Sequence, residues 1–144
     1  MGNVPYRRSY ACGIKALDLL RIEQGNPSYT RELTDSYNPL ESGLRKYISF
    51  NKGCYIGQEV IARLDAYKKV QKYLVGLEWE SSCKINSLTG LFKDNDQVGL
   101  ITSWSVSLKD KKNIGLGYVR KANAIAGELL QSDNEDIVYV KSVF

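Results

Sequence analysis

The sequence predicts an α+β fold in which a short helical region precedes an antiparallel β-barrel of roughly six strands. Helical periodicity is confined to the first 70 residues, and from residue 71 onward short strand-like runs alternate with turn signals. The 144 residues are 43% apolar and 25% charged, which is ordinary for a globular protein with one core. We therefore divide the chain into an α/β region, residues 1–70, and a barrel, residues 71–144.

The first predicted element is an amphipathic helix over residues 13–25, GIKALDLLRIEQG. Ile14, Leu17 and Leu20 recur at helical spacing and are expected to form its buried face, while Gly25 ends the helix. The loop that follows is rich in Asn, Pro, Ser and Thr, and its NPLES segment is a candidate start of a short helix.

A short strand is predicted over residues 44–50, LRKYISF, before a second helix. That helix is expected to begin at Gly57-Gln58-Glu59 and to end near residues 67–69, with one apolar face formed by Val60, Ile61, Leu64 and Tyr67. Two helices and one strand cannot cover both faces of a sheet, so region 1–70 is expected to be incomplete without another segment or chain.

The barrel is predicted from alternating apolar residues, beginning with Tyr73, Val75, Leu77 and Trp79 in QKYLVGLEWE. Further short runs rich in β-branched and aromatic residues follow at QVGLITSW, NIGLGYVR, GELLQS and DIVYVKSVF. By themselves these runs indicate an all-β barrel or sandwich of about six strands. We expect Tyr73, Trp79 and Trp104 to lie in the barrel core or at its rim rather than to form a platform for nucleic-acid bases.

Composition excludes several kinds of site. The chain has no histidine, so it supplies no Cys-His pair, imidazole base or histidine-ligated metal. Its three cysteines are far apart and form neither a disulfide framework nor a CxxC metal motif. We therefore predict no metal site, and we interpret Cys12 and Cys83 as bystanders.

The net charge of +4 is the excess of 20 Lys and Arg over 16 Asp and Glu. These residues are spread along the sequence with only short basic clusters, such as Arg7-Arg8, Lys68-Lys69 and residues 109–112. This distribution permits nucleic-acid binding without indicating it. No apolar run approaches eighteen residues and the start lacks a secretory pattern, so a cytoplasmic or organelle-matrix location is expected.

The segment KGCYIGQE carries the main candidate for chemistry. Gly53 and Gly57 flank Cys54 in a predicted turn that leads into the second helix. A thiolate is favoured near the positive end of a helix dipole, and Lys52 adds positive potential. Cys54 is therefore a candidate reactive thiol; the alternative is a small buried apolar residue, as free cysteines often are.

The same segment resembles the K-G-C-[FY]-x-G-Q-E signature of YgfZ-like proteins, a folate-binding branch of the glycine-cleavage T-protein superfamily. The matching residues are Lys52, Gly53, Cys54, Tyr55, Gly57, Gln58 and Glu59. The segments LRIEQGNP and NPLESGL and the run VGLITSWSVSLKDKKNIGLGYV are similar to other motifs of the superfamily. The resemblance implies that the chain is the C-terminal part of a T-protein-like folate-binding domain followed by its barrel.

The resemblance further implies a YgfZ-like accessory factor for iron-sulfur cluster assembly or maintenance, with Cys54 as its working residue. The complete protein would bind tetrahydrofolate or a derivative, and no permanently bound metal is expected. Expected partners are a missing N-terminal folate-binding region and iron-sulfur client enzymes, including some that modify tRNA. No interaction with a membrane is expected. Candidate cofactor contacts are Lys52, Tyr55, Gln58 and Arg63, while Gly53, Gly57 and Glu59 shape the motif backbone.

Two alternatives remain open. In true T-proteins the position of Cys54 is usually aspartate, that of Gln58 is usually arginine or lysine, and that of Leu17 is an arginine that helps to hold folate. These departures count against a folate-dependent aminomethyltransferase, which is the first alternative, and the chain carries no complete catalytic site. The second is an RNA-binding or tRNA-modification-related module, for which the basic charge gives weak support.

Overall fold

A computed structural model describes residues 12–67, 70–80, 82–83 and 85–144. The predicted Arg7-Arg8 and Lys68-Lys69 clusters lie outside these residues. The helical part consists of α1 (Ile14–Glu23), a single 3-10 turn (Arg45–Tyr47) and α2 (Gln58–Ala66). Within the described part of the chain, no helix is long and apolar enough to cross a membrane.

The second part is a closed six-stranded barrel, which confirms the predicted fold class. The strands are β1 (Lys72–Trp79), β2 (Gly90–Lys93), β3 (Asp96–Val106), β4 (Asn113–Arg120), β5 (Leu129–Ser132) and β6 (Ile137–Val143). They follow the order β1-β4-β3-β2-β5-β6 around the barrel, and every neighbouring pair is antiparallel. Closure leaves no unpaired sheet edge open to another chain.

Three local predictions were wrong or incomplete. The strand predicted over residues 44–50 is instead the 3-10 turn, and NPLES forms turns in which the Ser42 amide donates to Asn38 O at 3.2 Å. The four-residue strand β2 was not predicted. Elements this short carry little periodicity, so tertiary pairing decides their conformation.

The apolar core has two layers separated by the barrel wall. Side chains from all six strands fill the barrel interior, including Val75, Leu77 and Trp79 of β1. The outer face of β1 and β4 packs against Ile22 of α1 through Leu74, Ile114, Leu116 and Tyr118. Because α1 covers this face, β1 and β4 are buried on both sides and read as nearly continuous apolar runs.

Glycine in β4 allows the interior to pack closely. A Cβ on Gly117 would lie 2.5 Å from Leu100 O and 3.0 Å from the Leu77 Cδ1 methyl. The small position therefore makes room for a large side chain from the neighbouring strand.

Helix α1 exposes the face that was predicted to be buried, and the apolar face of α2 is only partly covered. Leu17 is 52% exposed and Leu20 is 49% exposed, whereas Ile22 is 3% exposed and contacts the barrel. Helix α2 buries no residue, and its Val60 is 60% exposed. The periodicity correctly located the helices, but it could not reveal which side of α1 meets the barrel.

Phe144 connects the helical part to the barrel. Its amide donates to Leu74 O at 3.0 Å, and its ring lies where a Cβ on Gly25 would come within 2.1 Å. Gly25 also has a φ of +70°, so both its backbone and this contact favour glycine there.

Candidate functional site

A buried carboxylate, that of Glu32, lies where the helical part meets the barrel. Glu32 is 0% exposed, and four groups donate to its two oxygens. Oε1 lies 2.6 Å from Thr102 Oγ1 and 2.5 Å from Ser103 Oγ, while Oε2 lies 2.9 Å from the Ser28 amide and 3.1 Å from Arg21 Nη1. A buried charge needs this degree of pairing to offset its desolvation.

An irregularity in β3 allows two adjacent side chains to reach the same oxygen. Successive side chains of a regular strand point to opposite faces. The register between β3 and β4 shifts between Ile101 and Ser103, so Thr102 lies in a bulge. The Thr102 and Ser103 hydroxyls therefore both meet Glu32, which is the kind of redirection that bulges produce.

Arg21 links this carboxylate to α1. Its Nη2 donates to Ser103 Oγ at 2.8 Å, and its Nε donates to Asp18 Oδ1 at 2.6 Å. Asp18 also accepts from Arg31 at 3.2 Å. The Arg21 side chain is only 14% exposed, so its planar fork fixes the position of α1 against β3.

Tyr118 contacts the backbone carbonyl of Glu32 rather than its carboxylate. Its hydroxyl donates to Glu32 O at 3.0 Å and lies 2.6 Å from Ser42 Oγ, and its ring stacks on Tyr37 at 3.5 Å between centroids. Burial, the main cause, raises the pKa of Tyr118 to about 12, and the Glu32 charge adds to this. The hydroxyl is therefore held as a neutral donor.

Cys54 is an exposed thiol, and the described residues provide no hydrogen-bond partner for its sulfur. Gly57 precedes α2 with a left-handed φ of +84°, and α2 begins at Gln58, four positions after Cys54. The alternative of a small buried cysteine does not hold in this structure. The predicted turn is present, although Cys54 does not cap the helix.

The other motif side chains stay near the surface. Lys52 Nζ lies 4.7 Å from the Tyr55 ring centroid, and Arg63 pairs with Glu59 at 3.5 Å. Gln58 is half-buried. The pair Arg63 and Glu59 is the i,i+4 surface contact that helical spacing allows.

These candidate cofactor contacts do not enclose a ligand by themselves. The cleft between α2 and the barrel, about 600 Å³, is lined by Leu64 and Asp65 of α2 and not by Lys52, Tyr55, Gln58 or Arg63. Arg45 from the 3-10 turn pairs with Asp65 across this cleft and lies 5.3 Å from the Phe50 ring centroid. A folate site that used the motif residues would need side chains from a further region.

Cys12 is exposed like Cys54, whereas Cys83 is not. Cys83 is half-buried beside the barrel core, and burial, followed by Asp136, raises the pKa of its thiol. Among the described residues, no group of three or more His, Cys, Asp or Glu side chains is placed to hold a metal ion.

Glu32 was not predicted from the sequence, because its surrounding loop is polar and has no periodicity. The available signal was the polar pair Thr102-Ser103 directly after the apolar run Val98–Ile101. A buried strand that carries adjacent hydroxyls needs a polar partner elsewhere. The structure identifies that partner as Glu32.

Known proteins are similar to this chain in both sequence and fold. The sequence model of the glycine cleavage T-protein C-terminal barrel domain matches residues 72–140. A chloroplastic protein of Arabidopsis thaliana, named as a transferase, is 40% identical over 125 residues, or 87% of this chain. Aminomethyltransferases of Aquifex aeolicus and Desulfitobacterium hafniense are each 37% identical, over 75% and 82% of this chain.

The fold has a similar counterpart in the crystal structure of the glycine cleavage system aminomethyltransferase T from Bartonella henselae. The TM-score is 0.76 at 23% identity, and the match covers 88% of this chain and 37% of that one. The chain spans only 28% of the Arabidopsis relative, 29% of the Aquifex relative and 32% of the Desulfitobacterium relative. The chain therefore belongs to the glycine-cleavage T-protein superfamily and corresponds to its C-terminal portion.

Proposed function

We propose that this chain is the C-terminal part of a folate-dependent one-carbon transferase of the aminomethyltransferase type. The observation that carries the proposal is that one face of α1 is fixed to the barrel while another stays uncovered. Arg21 and Glu32 fix one face of α1 to the barrel, while Leu17 and Leu20 on another face stay half-exposed. An N-terminal folate-binding region would cover the exposed face.

Helix α2 supports the same proposal. It buries no residue, and Val60 and Tyr67 are each at least 60% exposed. A helix of nine residues has little stability of its own in water, and most helical stability comes from packing. Covering α2 and the outer face of α1 with one further region would bury both apolar surfaces.

Tetrahydrofolate or a derivative would then bind mainly to that further region. Leu17 offers no charged group to a folate carboxylate, so any such contact must come from elsewhere. The role of this chain is to fix α1 and α2 as part of the wall of the site, with the Glu32 network holding α1 in place. We place the protein in the cytoplasm, or in the mitochondrial matrix of a eukaryote.

The test is to co-produce this chain with the region encoded upstream and to measure complex formation, tetrahydrofolate binding and methylene-tetrahydrofolate production. Leu20→Ser should weaken the complex, because it removes apolar area from the proposed interface. Leu108→Ser is the matched control, because Leu108 is an exposed leucine outside α1 and α2. If both variants formed the complex with equal affinity, α1 would be excluded as the interface. A tight complex that neither binds tetrahydrofolate nor produces methylene-tetrahydrofolate would exclude the transferase.

A second candidate function is YgfZ-like support of iron-sulfur enzymes, and the exposure of the Cys54 thiol favours it. A client thiol or persulfide could reach this sulfur without any rearrangement of the barrel. Cys54→Ala should abolish rescue of an iron-sulfur enzyme in cells that lack the complete protein. Cys12→Ala, which also removes an exposed thiol, should leave rescue unchanged. Full rescue by Cys54→Ala would eliminate this function.

A further inference from the structure

Three cations lie together at the end of the barrel where β1 begins and β4 ends. Lys72, Arg120 and Lys121 are all exposed. They line an open cleft of about 630 Å³ together with Gln71 and Ala122.

The backbone keeps these cations together. Lys72 and Arg120 are direct partners in the β1–β4 ladder, so their side chains leave the same face of the sheet. The Lys121 amide donates to Gln71 O at 2.8 Å, which extends the pairing by one residue. Like charges placed directly opposite each other destabilise a sheet, so this arrangement costs free energy unless an anion binds there.

No carboxylate of the described residues pairs with these three cations. Two lysines elsewhere on the barrel are neutralised: Lys112 and Lys141 share Glu78, each at 2.9 Å. The charged end of Lys72 instead meets an aromatic ring, because its Nζ lies 5.6 Å from the Tyr37 ring centroid. The cluster is thus a concentrated positive charge without an acidic partner in the described chain.

We propose that Lys72, Arg120 and Lys121 form a binding site for a phosphate group. A phosphate monoester carries nearly two negative charges and presents three acceptor oxygens, so one group can contact all three cations. A carboxylate has one charge and two oxygens and leaves one cation unmatched. The guanidinium of Arg120 offers the planar fork that binds phosphate with two parallel hydrogen bonds. Lys121 also lines the cleft between α2 and the barrel, whereas Lys72 and Arg120 do not. The proposal does not depend on the proposed function.

The test is to titrate the 144-residue chain with inorganic pyrophosphate by calorimetry at low salt and to compare two double variants. Lys72→Gln with Arg120→Gln should weaken binding by at least about tenfold, because two charge-assisted contacts are lost. Lys109→Gln with Lys111→Gln is the matched control, because it removes two exposed lysines at the turn between β3 and β4. Equal loss in both variants would show a general charge effect and overturn the site.

Folding is checked independently by urea unfolding. Removing opposed like charges should leave the free energy of unfolding of Lys72→Gln with Arg120→Gln unchanged or slightly higher. Triglutamate is the carboxylate probe. If triglutamate binds as tightly as pyrophosphate and shows the same loss in the variant, the site is not one for phosphate.

The source of the phosphate is distinguished by two further ligands. Adenosine monophosphate represents a free phosphorylated metabolite, and a ten-nucleotide single-stranded RNA represents a phosphodiester chain. RNA that contacts all three cations should bind more tightly than the nucleotide. The logarithm of its binding constant should fall with the logarithm of the salt concentration with a slope of about −2. Equal affinity for both ligands would assign the site to the single phosphate group of a metabolite, and binding of neither would overturn the proposal.

Discussion

The Thr102 hydroxyl lies 2.6 Å from the carboxylate of Glu32, 70 residues away in the chain. Thr102 can make this contact because the bulge in β3 turns it toward the same side as Ser103. The contact joins the loop after α1 to the barrel wall, and Arg21 completes it from α1. One buried carboxylate thus determines how the helical part sits on the barrel.

Glu32→Ala should destabilise the fold by about 3–5 kcal/mol, because it removes the buried charge that accepts from Arg21, Thr102 and Ser103. Asp18 is then the one acidic partner of Arg21 among the described residues. Urea unfolding measures the change. Glu59→Ala is the control, because the Glu59 side chain is 88% exposed and its pair with Arg63 is a surface contact. Similar losses in the two variants would contradict the central role of Glu32.

Gly117→Ala should lower the free energy of unfolding by about 1–3 kcal/mol, because overpacking a close-packed interior displaces backbone or side chains. The new methyl would collide with Leu100 O, a backbone atom that cannot move without disturbing β3. Gly53→Ala is the matched control, because a Cβ there meets no atom within 4 Å. An unchanged thermal midpoint for Gly117→Ala would show that β3 and β4 are farther apart in solution.

Stability should decrease as the pH rises from about 10 to about 12. The pKa of Tyr118 is raised to about 12 in the folded protein, whereas an unfolded tyrosine titrates near about 10. The unfolded chain therefore loses its proton first, and the stability present below about pH 10 is lost as the pH approaches the folded value. Urea midpoints measured from pH 9 to 12 check this decrease.

Tyr118→Phe should be less stable at neutral pH, since it loses the hydrogen bonds to Glu32 O and Ser42. Its stability should nevertheless change less steeply across the alkaline window. Tyr29→Phe alters an exposed ring and should keep the wild-type slope. If Tyr118→Phe also kept that slope, Tyr118 would not be the titrating group.

The three thiols should react with a disulfide reagent in two phases at neutral pH. Cys12 and Cys54 are exposed and should react quickly, whereas Cys83 should react slowly because burial raises the pKa of its thiol. Cys54→Ala should remove one equivalent of the fast phase, and Cys83→Ala should remove the slow phase. If Cys54 reacts faster than Cys12, its surroundings activate it; a fast Cys83 would contradict the placement beside the core.

Much of the barrel was predictable from local sequence, because alternating apolar residues and turn residues act over short distances. Five strands were predicted at positions that overlap the observed ones. The strand β2 was missed because GLFK is too short to show alternation. The predicted strand LRKYISF was wrong, because its residues suit a strand locally but no sheet edge is free to pair with them.

The candidate site also has a part that was predictable from local sequence and a part that was not. The motif KGCYIGQE and its turn at Gly57 follow from residues close together in the sequence. The sequence left a buried alternative open for Cys54, and the structure decided that this residue is exposed. The roles of Lys52, Tyr55, Gln58 and Arg63 in binding a cofactor stay predictions. The Glu32 network was not predictable, because its members Arg21 and Ser103 are separated by 82 residues and only the folded chain brings them together.

The sequence by itself determined the family resemblance, the presence of two helices and five of the six barrel strands, since these depend on local pattern and on short motifs. Only the tertiary structure decided which face of α1 is buried, and that Thr102 and Ser103 both meet Glu32. The physical reason is desolvation: a buried carboxylate must be paired, and its partners must be gathered from distant parts of the chain. For the exposed cations Lys72 and Arg120 the physical reason is different: strand register places them directly opposite each other.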